Sequence, residues 1–93
     1  PTFTIDVAKR LPELLSDNIN GIFHLPNEGV TTWYEFAKTA IDILSIDTKI
    51  KPVSSSEYKT LAKRPLNSAL KNVRLKKNRK WQEALKDYLN NYL

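Results

Sequence analysis

The sequence predicts an α/β chain built on a βαβ unit, with two short parallel strands and about three main helices. Three observations lead there. Apolar residues recur at helical spacing in three separated stretches. Two short extended-looking runs, "GIFHL" at 21–25 and "KIKPV" at 49–53, flank the middle helix. Strand, helix and strand in that order make a βαβ unit, whose crossover is normally right-handed. Two strands are too few for a free-standing doubly wound sheet, so the expected layer is small and lacks a Rossmann cofactor half.

The first helix spans residues 5–17. Val7, Leu11, Leu14 and Leu15 form one stripe, and Asp6 is the expected N-cap. Pro12 inside it removes a backbone donor and predicts a kink or tightened turn. "SDNING" closes the helix, with Gly21 supplying the left-handed residue. The first strand, 21–25, ends at the "PNEG" turn. Thr32 and Glu35 then have capping-box spacing at the start of the second helix, where Trp33, Phe36, Ala37, Ala40 and Leu44 form the apolar stripe. After the second strand comes an irregular stretch, and a last helix starts near Trp81 with Leu85, Tyr88 and Tyr92 on one face.

Composition narrows the function classes. The chain has 93 residues, 41% hydrophobic and 27% charged, which is ordinary globular material for one domain at most. It has no cysteine and one histidine, His24, so thiolate zinc sites, disulfides and histidine clusters are excluded. No apolar run approaches membrane-spanning length and no leader opens the chain, so the expectation is a soluble cytoplasmic protein with no membrane partner. The chain starts on Pro1 within a patterned segment, which suggests a piece of a longer protein.

Charge is divided unevenly. Residues 1–48 carry three Lys/Arg against seven Asp/Glu, and residues 49–93 carry twelve against three. A basic half suits nucleic acid, an acidic partner or a phosphorylated small molecule. The run "KNVRLKKNRKW" has no aromatic stacking platform or recognised nucleic-acid motif, so a solvated basic face is preferred and nucleic acid is not the expected partner.

Candidate chemistry concentrates in "AKRPLNSALKN", residues 62–72. Arg64 offers a planar, permanently charged fork suited to phosphate oxygens. Pro65 stiffens the backbone behind it, and Asn67 and Ser68 can hydrogen-bond a ligand or cap the following turn. Two readings stand: a polar turn, with Arg64 held by loop carbonyls or a carboxylate such as Glu57, and a loop closing over a phosphorylated ligand. Tyr34 and Lys38 fit the Tyr-x-x-x-Lys pair of short-chain dehydrogenases, but an aromatic, lysine-rich helix meets that spacing by chance and no cofactor fold precedes it. His24 reads as a packed histidine, and Glu28 as a solvated turn residue.

The ordered set "PTFTIDVAKRL", "GIFHLPNEGVTTWYEFAKTAIDIL", "KIKPVSSSEYKTLAKRPLNSALKN" and "WQEALKDYL" resembles the C-terminal third of the dTDP-4-dehydrorhamnose reductase family. These are extended short-chain dehydrogenases. The resemblance implies a small C-terminal substrate-binding domain, residues 1–93, of an enzyme that reduces dTDP-4-dehydro-L-rhamnose to dTDP-L-rhamnose, a polysaccharide precursor. It implies NADPH as cofactor, held with the catalytic groups by the parent's own N-terminal Rossmann domain. The 93-residue chain alone would then be inactive and bind no cofactor or metal. It places Arg64, Pro65, Asn67 and Ser68 in the loop near the dTDP-sugar. A homodimer of the parent stays open. So does a non-catalytic regulatory module on the same scaffold, the route taken by the regulatory subunit of methionine adenosyltransferase.

Overall fold

A computed structural model describes all 93 residues, Pro1–Leu93. Its elements are α1 (Thr4–Ser16), α2 (Trp33–Leu44) and α3 (Trp81–Tyr92). All three expected helices are present. The expected βαβ unit is not: the chain contains no strand, and the α/β class is corrected to all-α with long connecting segments. The reason lies in what the two apolar runs meet. Ile22 is 80% exposed, and residues 49–53 lie at the surface throughout, so neither run has a layer to pack on. Side chains serve the backbone where a partner strand would stand. Asn78 Nδ2 donates to the carbonyls of Leu25 (3.1 Å) and Pro26 (3.3 Å), and Arg74 Nη1 reaches the carbonyl of Ile22 at 3.5 Å. A short apolar run cannot be told from an extended loop by periodicity alone.

Strand-like pairing survives only as one parallel bridge, Glu28 with Lys80. The Glu28 N–H donates to the Arg79 carbonyl (3.1 Å) and the Trp81 N–H to the Glu28 carbonyl (3.0 Å). This bridge pins the turn before α2 to the start of α3, and so brings the two helices together.

Helix ends follow local chemistry with two changes. Thr32 caps α2 as expected, its Oγ1 accepting from the Glu35 N–H at 3.1 Å. Asp6 does not cap α1; Phe3 occupies that position without a side-chain cap, and Asp6 lies buried in the first turn. After α1 the left-handed residue is Asn18 (φ 49°), three positions before Gly21. α1 runs through Pro12 without interruption.

Trp81, Leu85 and Leu89 on α3 form the core, with Phe3, Phe36, Ala40 and Ile43 packed against them. Tilted aromatic pairs, Phe36–Trp81 at 5.7 Å and Phe3–Phe36 at 6.4 Å between centroids, extend the core from α3 to α2 and the start of α1. It is a small core. Leu15, Val30 and Trp33 are at least 80% exposed, and much of the expected α1 stripe is uncovered. The radius of gyration is 15.9 Å, against about 12 Å for a compact domain of this length. The accessible surface is 7966 Å², whereas a compact chain of this mass exposes about 5500 Å². The chain is therefore extended, with much of its surface, apolar residues included, open to solvent.

Gly29 links the bridge to the core. Its φ is +97°, and a Cβ there would lie 2.9 Å from Trp81 Cδ1 and 3.2 Å from Nε1. Gly29→Ala should destabilise the chain by about 1–3 kcal/mol through backbone strain and displacement of the indole. Thermal melts should show a fall of roughly 4–8 °C per kcal/mol. Gly21→Ala has looser surroundings, the nearest atom being Arg74 Nη1 at 3.6 Å, and should lower the midpoint less.

Candidate functional site

A polar joint holds the candidate face in place. Arg79, at the entry to α3, donates from Nε to both Asp6 carboxylate oxygens (3.0 and 3.1 Å), and its Nη2 donates to Asp87 Oδ2 at 3.0 Å. Asn27 fills the remaining space, donating to Asp6 Oδ2 (2.6 Å) and the Arg79 carbonyl (3.2 Å) while accepting from the Phe3 N–H (2.9 Å). Arg10 on α1 adds bonds to the Lys76 carbonyl and Asn78 Oδ1. These contacts tie α1, the turn at 26–30 and the segment 76–79 into one unit.

Burial pushes the Asp6 carboxyl up, but hydrogen bonds from Arg79 and Asn27 and the charges of Arg79 and Lys9 outweigh it. They hold it below the usual carboxylate range. Arg79 is correspondingly raised, chiefly by its hydrogen bond to Asp6.

Two clefts open beside this joint. The larger, of about 560 Å³, lies between residues 26–30 and 69–73 and is closed by Leu75 and Lys77. Val30, Leu70 and Val73 supply apolar wall, and Lys71 and Lys77 supply charge. Asn72 is buried at its edge, accepting from the Leu75 N–H and donating to the Lys76 carbonyl, which shapes the 72–76 turn. The smaller cleft, of about 220 Å³, is lined only by polar and charged residues and lies between α1 and residues 76–79.

The loop carrying Arg64, Pro65, Asn67 and Ser68 is exposed throughout and runs directly into the wall of the larger cleft at Ala69. Asn67 Oδ1 accepts from the Ala69 N–H at 3.0 Å, a local turn bond. Arg64 forms no ion pair; the chain's ion pairs involve Arg10, Lys77 and Arg79. Glu57 is engaged elsewhere: its carboxylate accepts from the N–H (2.7 Å) and the hydroxyl of Ser54. That backbone bond, then the hydroxyl, holds it below the usual range. Leu61 and Leu66, on either side of Arg64, are almost fully exposed. The guanidinium thus stands on a loop with little contact to its own chain.

The other sequence candidates do not assemble into a site. No hydrogen bond joins Tyr34 to Lys38, and His24 is exposed on the segment expected as a strand. No group of three or more His, Cys, Asp or Glu could hold a metal ion, and no helix is long and apolar enough to cross a membrane. Sequence reasoning missed the cleft itself, with Glu28 and Lys77 at its rim. The available signal was Asn27 and Asn78, polar residues beside apolar or basic segments whose side chains serve backbone groups across the joint.

Residues 1–93 match the family described as RmlD substrate binding domain. The chain belongs to that family. The spore coat polysaccharide biosynthesis protein SpsK of Bacillus subtilis (strain 168) is 36% identical over 93 residues, covering 96% of this chain and 32% of that protein. A dTDP-4-dehydrorhamnose reductase of Sinorhizobium fredii is 37% identical over 68 residues, covering 69% of this chain and 23% of the enzyme. The Escherichia coli (strain K12) enzyme of the same name is 31% identical over 84 residues, covering 78% of this chain and 28% of the enzyme. This RmlD substrate binding domain spans about a third or less of these relatives. No solved structure matches it.

The joint makes a pH prediction. With its folded pKa depressed, Asp6 contributes stability that is fully present above its unfolded value of about 3.9 and is lost as pH falls through the lower folded value. Asp6→Asn should lower stability near neutrality by about 1.5–3 kcal/mol, the worth of charge-assisted hydrogen bonds. Urea melts should then show a shallower acid dependence in the variant than in the wild-type chain.

Proposed function

We propose that this chain is the substrate-binding part of an NADPH-dependent reductase that converts dTDP-4-dehydro-L-rhamnose to dTDP-L-rhamnose. The observation that carries this reading is the end-to-end match to a substrate-binding family, together with relatives named as dTDP-4-dehydrorhamnose reductases. The exposed surface supports it. The excess of roughly 2500 Å² is the scale of an obligate interface. In this reading an upstream Rossmann domain covers much of that surface.

The residues present do not fit the cofactor. A dinucleotide needs a glycine-rich turn whose backbone meets phosphates at a helix N-terminus. Gly21 faces Arg74 and Phe23, and Gly29 is closed off by the Trp81 ring. The role of this chain is therefore to bind and orient the nucleotide sugar. Arg64 meets its diphosphate or a neighbouring part, Pro65 steadies the loop, and Asn67 or Ser68 adds a polar contact.

Charge-assisted hydrogen bonds contribute roughly 1.5–3 kcal/mol. In the full-length enzyme Arg64→Ala should therefore weaken substrate capture about ten- to hundred-fold, with NADPH affinity unchanged. Arg64→Lys should restore only part, because an ammonium lacks the paired fork. Steady-state constants for both substrates and a melting temperature on one preparation decide the matter. A lowered melting temperature with normal substrate affinity would instead make Arg64 structural.

A further inference from the structure

We infer that Lys77 is a second phosphate-contacting residue and that Glu28 holds it in reserve as a displaceable counter-ion. The inference deepens the sugar-nucleotide reading and rests on it for the identity of the ligand, a nucleoside diphosphate. Lys77 is the one residue that lines both clefts, so they meet at its side chain. A ligand with a charged middle and a less polar end fits that arrangement. Its diphosphate lies where the clefts join, and its base or deoxy sugar lies against Val30, Leu70 and Val73.

The neighbouring cations differ in how firmly they are held. Arg79 is engaged by Asp6 and Asp87. Arg10 is engaged by Glu13, the Lys76 carbonyl and Asn78. Arg74 lies over the Phe23 ring at 4.5 Å. Lys77 has one partner: its Nζ is 3.4 Å from Glu28 Oε2, and its side chain is 69% exposed. An exposed pair of this kind is weak, so a multiply charged anion can displace it.

Glu28 cannot simply move aside with its backbone. Its N–H and carbonyl are both bonded to the 79–81 segment, and the next residue is packed against Trp81. The carboxylate therefore sits on a fixed base at the cleft rim, while the lysine stem is flexible. Until an anion takes the ammonium, Glu28 neutralises it, and the anion must displace the carboxylate to reach Lys77. Because attraction to the ammonium rises with ligand charge, a diphosphate competes with the carboxylate for it better than a singly charged ligand does.

A double-mutant cycle tests the coupling, with inorganic pyrophosphate and dTDP as probes of the 93-residue chain in calorimetry at constant salt. Glu28→Gln should tighten pyrophosphate about two- to five-fold and Lys77→Ala should weaken it by a similar factor, the range of an exposed ion pair. In the Lys77→Ala background, Glu28→Gln should change binding little, because its effect acts through Lys77. Melting temperatures should stay near wild type, since the two charged groups meet only each other. Equal tightening in both backgrounds would reduce Glu28 to a general field effect and overturn the inference. So would indifference to Lys77→Ala, or no binding of either probe. If dTDP binds well but ignores both variants, the sugar-nucleotide reading stands and the Lys77 role falls. If the pyrophosphate cycle holds while dTDP gains nothing over pyrophosphate, Lys77 stands and the nucleotide reading falls.

Discussion

The bond between Arg79 and Asp6 is the constraint on which the rest of this structure depends. It joins residues 73 positions apart, at 2.9–3.1 Å, where the start of α1 meets the entry to α3. Breaking one side of such a pair leaves a poorly solvated charge, which is why its removal costs more than its formation gains. Here the guanidinium keeps Asp87 as a second partner and Asn27 completes the carboxylate's shell, so no buried polar side-chain atom lacks a partner. With so small an apolar core, this polar joint sets the relative placement of the segments 26–30 and 76–79. The cleft walls follow from that placement.

Helices were the legible part of the sequence. Thr32 with Glu35, and the spacing of Trp81 and Leu85, are local signals, and the chain obeys them. The strands were not legible. "GIFHL" has the composition of a buried strand, but whether it pairs depends on what the chain brings beside it, and here Arg74 and Asn78 arrive instead of a second strand. Asp6 misled for a similar reason. An aspartate near a helix start normally caps it, and only a contact from residue 79 shows its other use.

The candidate face divides in the same way. Arg64, Pro65, Asn67 and Ser68 were visible as a motif, because an arginine fork beside a proline is a local pattern, and the structure leaves that fork without an ion pair. The cleft was not visible, because its two walls lie some 40 positions apart in sequence. The basic run 71–81 was read as one solvated face. It is heterogeneous: Arg79 is structural, Arg74 covers Phe23, and Lys77 stands at the junction of the clefts.

The proposed reading is that this chain binds a sugar nucleotide on the face formed by the 26–30 turn and residues 64–77, and does not itself hold the nicotinamide cofactor. Residue-resolved amide shifts of the 93-residue chain, titrated separately with dTDP and with NADPH, test it most directly. The account predicts saturable shifts with dTDP confined to those two segments, and none at the same concentrations of NADPH. Shifts centred on the exposed side of α1 or α2, or a saturable response to NADPH at the Gly21 or Gly29 turns, would contradict it.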